Sequence, residues 1–201
     1  MSEDTKDDTR DDTVPAHRIE CLTPARIRAQ AAGGLAALLV DAVDSGASVG
    51  FLAPLGHAEA ASWWQEAAEE AERGVRTVWA SYGLDGAVTG VISLVRAGMP
   101  NQPHRGEISK LLVHRDARGR GLGRRLLAEA ERAAAGEGRT LLVLDTETGS
   151  GAETLYRRAG WTRAGSIPGY ALTPDGAPHP TTYYYKALDR EALDREALDR
   201  V

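Results

Sequence analysis

The stretch that decides the fold runs from Ile108 to Arg125 and has the sequence Ile-Ser-Lys-Leu-Leu-Val-His-Arg-Asp-Ala-Arg-Gly-Arg-Gly-Leu-Gly-Arg-Arg. A largely apolar, strand-like segment is followed by glycines at alternate positions and then by a helical pattern. Glycines at the start of a helix let the backbone approach a ligand closely, and the free N–H groups and positive dipole end favour anions there. Arg118, Arg120, Arg124 and Arg125 add positive charge, and guanidinium groups match the geometry of phosphate. The stretch therefore predicts a pyrophosphate site.

Two known nucleotide-binding patterns and one purely structural pattern compete for this stretch. A Rossmann site also has a glycine loop between a strand and a helix, followed by a strand and an acid, which Asp145 would supply. Here, however, the glycines are spaced Gly-x-Gly-x-Gly before Arg124, and they begin six residues after Val113 rather than directly after the strand. A P-loop requires a Gly-Lys pair, which the chain lacks. A glycine-rich turn with solvated arginines is the remaining alternative, and the elements on either side favour a ligand site over it.

The patterns around this stretch predict an α+β domain with a mixed, mostly antiparallel central sheet and flanking helices. A strand over 107–113, a helix over about 121–135 and a strand over 140–146 form a βαβ unit. Thr23 before Pro24 is typical of a helix start, whereas Gly33 and Gly34 weaken the middle of that helix. The other predicted elements are a helix over 59–73 and strands over 77–82, 87–96, 161–166 and 181–187. A loop rich in Pro and Gly is predicted between the last two strands.

A short helix after the βαβ unit has signals at both ends. Ser150 and Glu153 have the spacing of a capping box, and Gly160 is a natural C-terminal stop. Packing is therefore one role open to Tyr156, because it lies on a single apolar face of this helix. That face consists of Ala152, Leu155, Tyr156 and Ala159.

The two ends of the chain differ in composition from the middle. Residues 1–17 hold six acids against Lys6 and Arg10, with too little apolar surface to offset the entropy of ordering, so we expect a disordered acidic arm. The last residues repeat Leu-Asp-Arg-Glu-Ala, and a five-residue period makes no apolar stripe on a helix. We therefore expect a charged, solvated tail over 189–201 and a single domain over 18–188.

Charge and cysteine content restrict the class of protein. A formal net charge of −5 argues against general affinity for a phosphate backbone, so nucleic acid is not an expected partner. The single cysteine, Cys21, cannot form an internal disulfide, and the N-terminus lacks the basic and apolar parts of a signal peptide. The longest apolar run, 35–40, falls far short of the ~20 residues of a membrane span. We expect a cytoplasmic protein with no membrane partner.

The glycine loop and the elements around it resemble those of the GNAT superfamily of N-acetyltransferases. The family signature, [Gln/Arg]-x-x-Gly-x-[Gly/Ala] between a strand and a helix, is matched by Arg118-Gly119-Arg120-Gly121-Leu122-Gly123. The strand ending Leu111-Leu112-Val113 and the helix ending Leu155-Tyr156-Arg157-Arg158-Ala159-Gly160-Trp161 occur in the family's order. The resemblance covers roughly 75–187. It departs at Gly149-Ser150, where many members have Asn in contact with CoA.

A narrower resemblance is to the tabtoxin resistance protein and its relatives, which acetylate a small toxin with an amino acid and a β-lactam. It rests on Lys110-Leu111-Leu112-Val113 and Leu144-Asp145-Thr146-Glu147, and on three later segments. These segments are Pro168-Gly169-Tyr170, Thr173-Pro174-Asp175-Gly176 and His179-Pro180-Thr181. Membership of a subfamily does not fix the substrate.

The GNAT resemblance implies acetyl-CoA as co-substrate, with the glycine loop holding its pyrophosphate. It also implies that the pantetheine arm hydrogen-bonds, like an additional strand, to the backbone around Leu111, and that Tyr156 donates a proton to the CoA sulfur. The implied cofactor-binding residues are Leu111, Leu112, Val113, Arg118, Gly119, Arg120, Gly121, Leu122, Gly123 and Arg124.

Two carboxylates are candidates for the base that takes the proton of the acceptor ammonium. Glu107 begins the strand before the glycine loop and Asp145 ends the neighbouring strand, where adjacent parallel strands separate. Equally, Glu107 can be an exposed residue at a strand start, and Asp145 can cap the following turn. Trp63, Trp64 and Tyr170 are weaker candidates for walls of the acceptor pocket, because aromatic residues more often serve the core. The histidines show no metal-ligand spacing, and no metal is expected.

The sequence therefore predicts an acetyl-CoA-dependent N-acetyltransferase acting on an amine of a small molecule by direct attack in a ternary complex. An amino-acid-like toxin or antibiotic, with a resistance role, fits the narrower resemblance. An acetyltransferase acting on proteins or peptides and a non-catalytic acyl-CoA sensor are the alternatives. Homodimer formation is left open.

Overall fold

The computed structural model describes residues 17–189. The predicted acidic arm at 1–17, apart from His17, and the predicted repeat tail at 189–201, apart from Asp189, lie outside the described residues. Between residues 17 and 189, no helix combines the length and apolar character that crossing a membrane requires.

A seven-stranded sheet forms the centre of the protein. Its strands are β1 (Arg18–Leu22), β2 (Arg76–Tyr82), β3 (Val88–Arg96), β4 (Arg105–Val113), β5 (Leu141–Glu147), β6 (Thr162–Leu172) and β7 (Pro178–Ala187). They lie in the order β1-β2-β3-β4-β5-β7-β6. Every neighbouring pair is antiparallel except β4 and β5, which run parallel. This arrangement confirms the predicted mixed, mostly antiparallel sheet.

Helices cover both faces of the sheet, and each face has its own apolar core. They are α1 (Pro24–Gln30), α2 (Ala36–Asp44), α3 (His57–Glu72), α4 (Leu122–Gly136) and α5 (Gly151–Arg158). The first three pack on Val91, whereas α4 and α5 pack on Ile92, the next residue of β3. Side chains alternate across a strand, so these two neighbours face opposite ways. We call the two sides of the sheet the α3 face and the α4 face.

The first predicted helix is interrupted where its glycines lie. Thr23 caps α1 by accepting a hydrogen bond from the backbone N–H of Arg26, as its position before Pro24 predicts. A π-helical turn, Ala31–Leu35, then joins α1 to α2, with Gly33 at the non-helical angles φ −120° and ψ −120°. The predicted weak middle of this helix is therefore confirmed as a break.

The segment between the last two predicted strands is a hairpin and not a loop. β6 extends to Leu172 and β7 begins at Pro178, so only 173–177 turn between them. The pairing of the two strands shifts between 167 and 171, where Pro168 lacks an N–H and Gly169 has a φ of +59°. Because β6 is the outer strand of the sheet, a proline there leaves no ladder partner unsatisfied. A segment rich in Pro and Gly can thus form a bulged edge strand.

Two further details differ from the predictions. The short strand β1 follows no pattern recognised in the sequence, although it pairs along its length with β2. Ser150 is the N-cap of α5, but its side chain makes no capping bond, and Glu153 accepts from the N–H of Gly149 instead of that of Ser150. The predicted capping box is therefore wrong in its bonds, whereas the stop at Gly160, with a φ of +81°, is confirmed.

Candidate active site

The parallel strands β4 and β5 pair over a short length and then separate. Their paired residues run from Arg105 opposite Leu141 to Glu107 opposite Val143. Beyond these pairs, β4 continues beside β3 and β5 continues beside β7. The backbone of β4 from 108 to 113 therefore has no strand partner on the side that faces β5, and a gap opens between the two strands.

The glycine loop lies between β4 and α4. Gly119 and Gly121 have φ values of 78° and 74°, and a Cβ on either would meet no atom within 4 Å, so the space beside them is open. Arg125 is the first residue of α4 whose N–H bonds back along the helix, to the carbonyl of Gly121. The amides before it are available to an anion. Gly123 has another role, because a Cβ there would lie 3.1 Å from Leu155 Cδ1, and glycine lets α4 approach α5.

Two of the four arginines around this loop hold the fold together. Arg118 donates from Nε to the carbonyl of Val113 at 3.0 Å and from Nη2 to Oγ of Ser45 at 2.9 Å. Arg125 donates to the carbonyl of His17 at 2.7 Å. The guanidinium of Arg118, which the sequence predicts to bind cofactor, therefore ties the end of β4 to the end of α2.

The other two arginines are available to a ligand. Arg120 and Arg124 form no hydrogen bond or ion pair with any residue in the described range. Arg124 lines a cavity of about 290 Å³ between α4, α5 and β7, together with Arg158 and Lys186. Lys186 is paired with Glu131, which lines the same cavity, so among the described residues the unpaired charges there are those of Arg124 and Arg158.

Glu107 and Asp145 flank the start of the gap. Glu107 is the last residue of β4 that pairs with β5, and Asp145 lies two residues beyond its partner Val143. Both carboxylates are open to solvent, yet the surrounding walls of the cleft desolvate them and raise the pKa of each. The negative charge of Asp145 raises the pKa of Glu107 further. The structure therefore brings together the two acids that the sequence singles out.

Tyr156 approaches the gap from the α4 face. Its side chain is 6% exposed, and its ring packs at centroid distances of 5.9 Å from Trp161 and 6.0 Å from Tyr184. Within the described part of the chain, its hydroxyl has no hydrogen-bond partner and is not among the fully enclosed polar atoms. Burial, and after it the charge of Asp145, raises the pKa of Tyr156, so the phenol stays protonated. Packing accounts for the ring and leaves the hydroxyl available to a ligand.

Lys110 is a residue of the cleft that the sequence predictions missed. It lies at a β-bulge, where the register of β4 against β3 shifts, and its φ of 51° is the only positive value of a non-glycine residue among those described. Burial, and after it the charge of Arg76, lowers the pKa of its ammonium to about 8, although Asp145 and Glu107 oppose the shift. A lysine within the largely apolar run 108–113 is the one signal of this role in the sequence.

Two of the three aromatic residues predicted as pocket walls lie on this side of the molecule. Trp63 packs edge-on against Phe51, at a centroid distance of 6.4 Å, and its ring centroid lies 4.8 Å from the Lys110 ammonium. Tyr170, which is 51% exposed, packs edge-on against Tyr183 of β7 at 5.7 Å. Tyr183 lies opposite Asp145 in the sheet, so this aromatic pair borders the acids.

Other candidates lie elsewhere. Trp64 is fully buried and donates from Nε1 to the carbonyl of Leu35 at 3.0 Å, so it belongs to the core and not to a pocket wall. His179 lies with Nδ1 at 3.6 Å from Oε1 of Glu147, and Asp175 is exposed in the hairpin turn. Among residues 17–189, no group of His, Cys, Asp or Glu side chains is arranged to hold a metal ion.

Comparison with known protein families gives one match. The model of the acetyltransferase (GNAT) family matches residues 32–161, which is more than half of the chain. The matched range contains both strands that border the gap, the glycine loop and Tyr156.

Several solved structures share the fold. An N-acetyltransferase from Staphylococcus aureus is 20% identical with a TM-score of 0.71, and the match covers 87% of this chain and 99% of that one. A ribosomal-protein-alanine N-acetyltransferase from Brucella melitensis is 24% identical with a TM-score of 0.67, covering 85% and 99%. A phosphinothricin acetyltransferase from Sinorhizobium meliloti, in complex with acetyl-CoA, is 17% identical with a TM-score of 0.69, covering 86% and 88%. At these identities the likeness establishes the fold.

Proposed function

Because the chain belongs to the acetyltransferase (GNAT) family, we propose that it transfers the acetyl group of acetyl-CoA to an amine of a small molecule by direct attack in a ternary complex. The observation that carries this proposal is the gap between β4 and β5, which has the glycine loop and the first amides of α4 at one end and two acids with raised pKa values beside it. A thioester lying in that gap would be within reach of groups on both faces of the sheet.

The cofactor site is proposed to run from the glycine loop along the free edge of β4. The amides at the start of α4, with Arg120 and Arg124, would bind the pyrophosphate. The backbone of Leu111, Leu112 and Val113 would pair with the amides of the pantetheine arm, since no strand occupies that edge. Arg118 would contribute by fixing the end of β4, because its guanidinium is engaged there.

The proposed chemistry divides between the two faces. Glu107 or Asp145, directly or through a water, would take a proton from the acceptor ammonium, and a carboxyl with a raised pKa is the stronger base once ionised. The neutral amine would attack the thioester carbon, with a backbone N–H near Leu112 stabilising the oxyanion. Tyr156, kept protonated by burial, would donate to the departing thiolate.

The acceptor is proposed to be small and amino-acid-like, with a toxin or antibiotic and a resistance role as the specific case. Groups of both signs border the cleft, because Lys110 and Arg76 influence the titration of Glu107. Such a lining suits a molecule that carries an amine and a carboxylate. Phosphinothricin and ribosomal-protein-alanine acetyltransferases share this fold, so the fold alone does not choose between small molecules and peptides.

A screen of acceptors tests the proposed substrate class. The purified full chain is incubated with acetyl-CoA and separate panels of β-lactam amino acids, other amino acids, aminoglycosides, polyamines and lysine peptides, and free thiol release is followed. We expect turnover with an amino-acid-like amine. Strong activity on peptides with none on the small amines would contradict the small-molecule assignment and leave the acetyl transfer intact.

Binding of acetyl-CoA tests the glycine loop independently of the acceptor. At ~100 times its dissociation constant, a native-state ligand stabilises by ~2.7 kcal/mol, which corresponds to very roughly 5–10 °C in melting temperature. Acetyl-CoA should give such a shift, and Gly121→Glu should abolish it because bulk and negative charge would oppose the pyrophosphate. Gly138→Glu is the matched control, since Gly138 also has a positive φ (77° against 74°) and open surroundings but lies beyond the other end of α4. A larger shift with NADH than with acetyl-CoA would favour the dinucleotide alternative instead.

Replacing Tyr156 tests the proposed proton donor. Tyr156→Phe keeps the packed ring and should lower kcat ~10²- to 10⁴-fold, the usual cost of losing a positioned proton-transfer group, without changing the acetyl-CoA shift. Tyr184→Phe is the control, because Tyr184 packs against the same ring but its hydroxyl donates to Glu153. Equal kcat values for the Tyr156→Phe variant and the unaltered protein would assign Tyr156 to packing alone.

A further inference from the structure

Lys110 is the only described non-glycine residue whose backbone has a positive φ. Its φ of 51° lies in the left-handed region, within a strand and at a β-bulge. Long side chains rarely adopt this conformation, and such outliers persist only where surrounding contacts hold them. The contacts of the side chain therefore bear directly on why this conformation is kept.

The Lys110 ammonium is held on the α3 face by one carbonyl and two aromatic rings. Nζ donates to the carbonyl of Val49 at 2.8 Å. It also lies 4.8 Å from the ring centroid of Trp63 and 5.6 Å from that of Phe51, distances typical of cation–π contacts. A Cβ on Gly50 would lie 3.6 Å from Nζ. Lys110 thus reaches from β4 into the connection between α2 and α3.

Residues 47–56 of that connection are here called the acceptor loop, because they contact Lys110, whose ammonium is influenced by both acids of the cleft. Its other anchors are on the β6–β7 hairpin. The N–H of Ala53 donates to the carbonyl of Pro174 at 2.7 Å, and Oγ of Ser48 lies 3.5 Å from the carbonyl of Leu172. The acceptor loop is therefore fixed to the hairpin on one side and to Lys110 on the other.

Burying the Lys110 ammonium is energetically unfavourable, which indicates that its charge is needed at this position. An apolar side chain would fill the aromatic surroundings without loss of hydration, whereas burial of the ammonium lowers its pKa to about 8. No carboxylate in the described residues forms an ion pair with Lys110, although Glu107 and Asp145 face it from β4 and β5 and Arg76 faces it from β2. The hydrogen bond that the ammonium donates goes to Val49 of the acceptor loop.

We propose that Lys110 is a positioning residue that fixes the acceptor loop against β4 and thereby sets the shape of the acceptor pocket. This proposal rests on the proposed acetyl transfer in the same cleft. A defined pocket matters more for binding the acceptor than for the chemical step, because the loop does not carry the proposed acids or Tyr156. Loosening the loop should therefore raise the acceptor KM more than it lowers kcat.

The experiment compares Lys110→Met, Lys110→Arg and Lys186→Met in the full chain. Hydrogen exchange of the amides in 47–56 reports on the loop without any need for turnover, and the acceptor KM and kcat report on the pocket. Lys110→Met should speed exchange in 47–56 and raise the acceptor KM about tenfold, the size expected from losing one hydrogen bond with a charged donor, with kcat within about twofold. Lys110→Arg keeps the charge and the cation–π contacts. Exchange in 47–56 and the acceptor KM should therefore both stay close to the values of the unaltered protein.

Lys186→Met is the matched control, because Lys186 is also a partly buried lysine that donates to a backbone carbonyl, that of Ala159, at 2.8 Å. It should lower the melting temperature, since the buried Glu131 keeps its hydrogen bond from Trp161 but loses its ion-pair partner, yet leave the loop and the acceptor KM unchanged. Unchanged exchange in Lys110→Met would overturn the proposal. So would a raised KM without faster exchange, which would indicate direct contact with the acceptor, or faster exchange without a change in KM. If the unaltered protein acetylates no amine, the proposed function fails, and exchange still decides whether Lys110 anchors the loop.

Discussion

The separation of two parallel strands is the constraint on which the rest of the structure depends. After Glu107 and Val143, β4 stays with β3 while β5 stays with β7. The bulge at Lys110 contributes to this, because bulges bend a strand and increase its twist. The gap that results passes between the two faces of the sheet, and its β4 edge offers unpaired backbone groups to a linear ligand.

The gap also explains why the candidate groups come from elements far apart in the chain. The acids come from β4 and β5 and point away from the α4 face, because their neighbours Ile108 and Leu144 lie in its core, whereas the tyrosine comes from α5 on the α4 face. The environments of these groups differ. The carboxyls lie in a cleft where they reach solvent but are partly desolvated, whereas Tyr156 lies in a packed aromatic cluster. One sheet can thus hold a group that takes a proton and a group that gives one without pairing them directly.

The sequence predicted those parts of the fold that depend on local chemistry. The βαβ unit around the glycines and the weak middle of the first helix at Gly33 are properties of neighbouring residues, and the structure agrees with them. The proximity of Glu107 and Asp145 was also predicted, although it depends on the register that sets Glu107 opposite Val143, two residues before Asp145. Lys110, the commitment of Arg118 to Val113 and the hairpin in place of a loop did not follow. The role of Lys110 depends on a bulge and on Val49, 61 residues away in the sequence. That of Arg118 depends on how the glycine loop folds back onto Val113 and on Ser45, 73 residues away. The hairpin depends on which strand lies at the sheet edge.

Under the proposed function, acetyl-CoA occupies the gap as an additional strand against β4. Amide hydrogen exchange measured with and without acetyl-CoA tests this, because hydrogen bonds to the pantetheine arm would slow exchange of those amides in 111–113 that point into the gap rather than toward β3. We expect protection of such amides and of the start of α4, with little change in β1 at the far edge of the sheet. Protection confined to the start of α4 and Asp145, with none at 111–113, would contradict it.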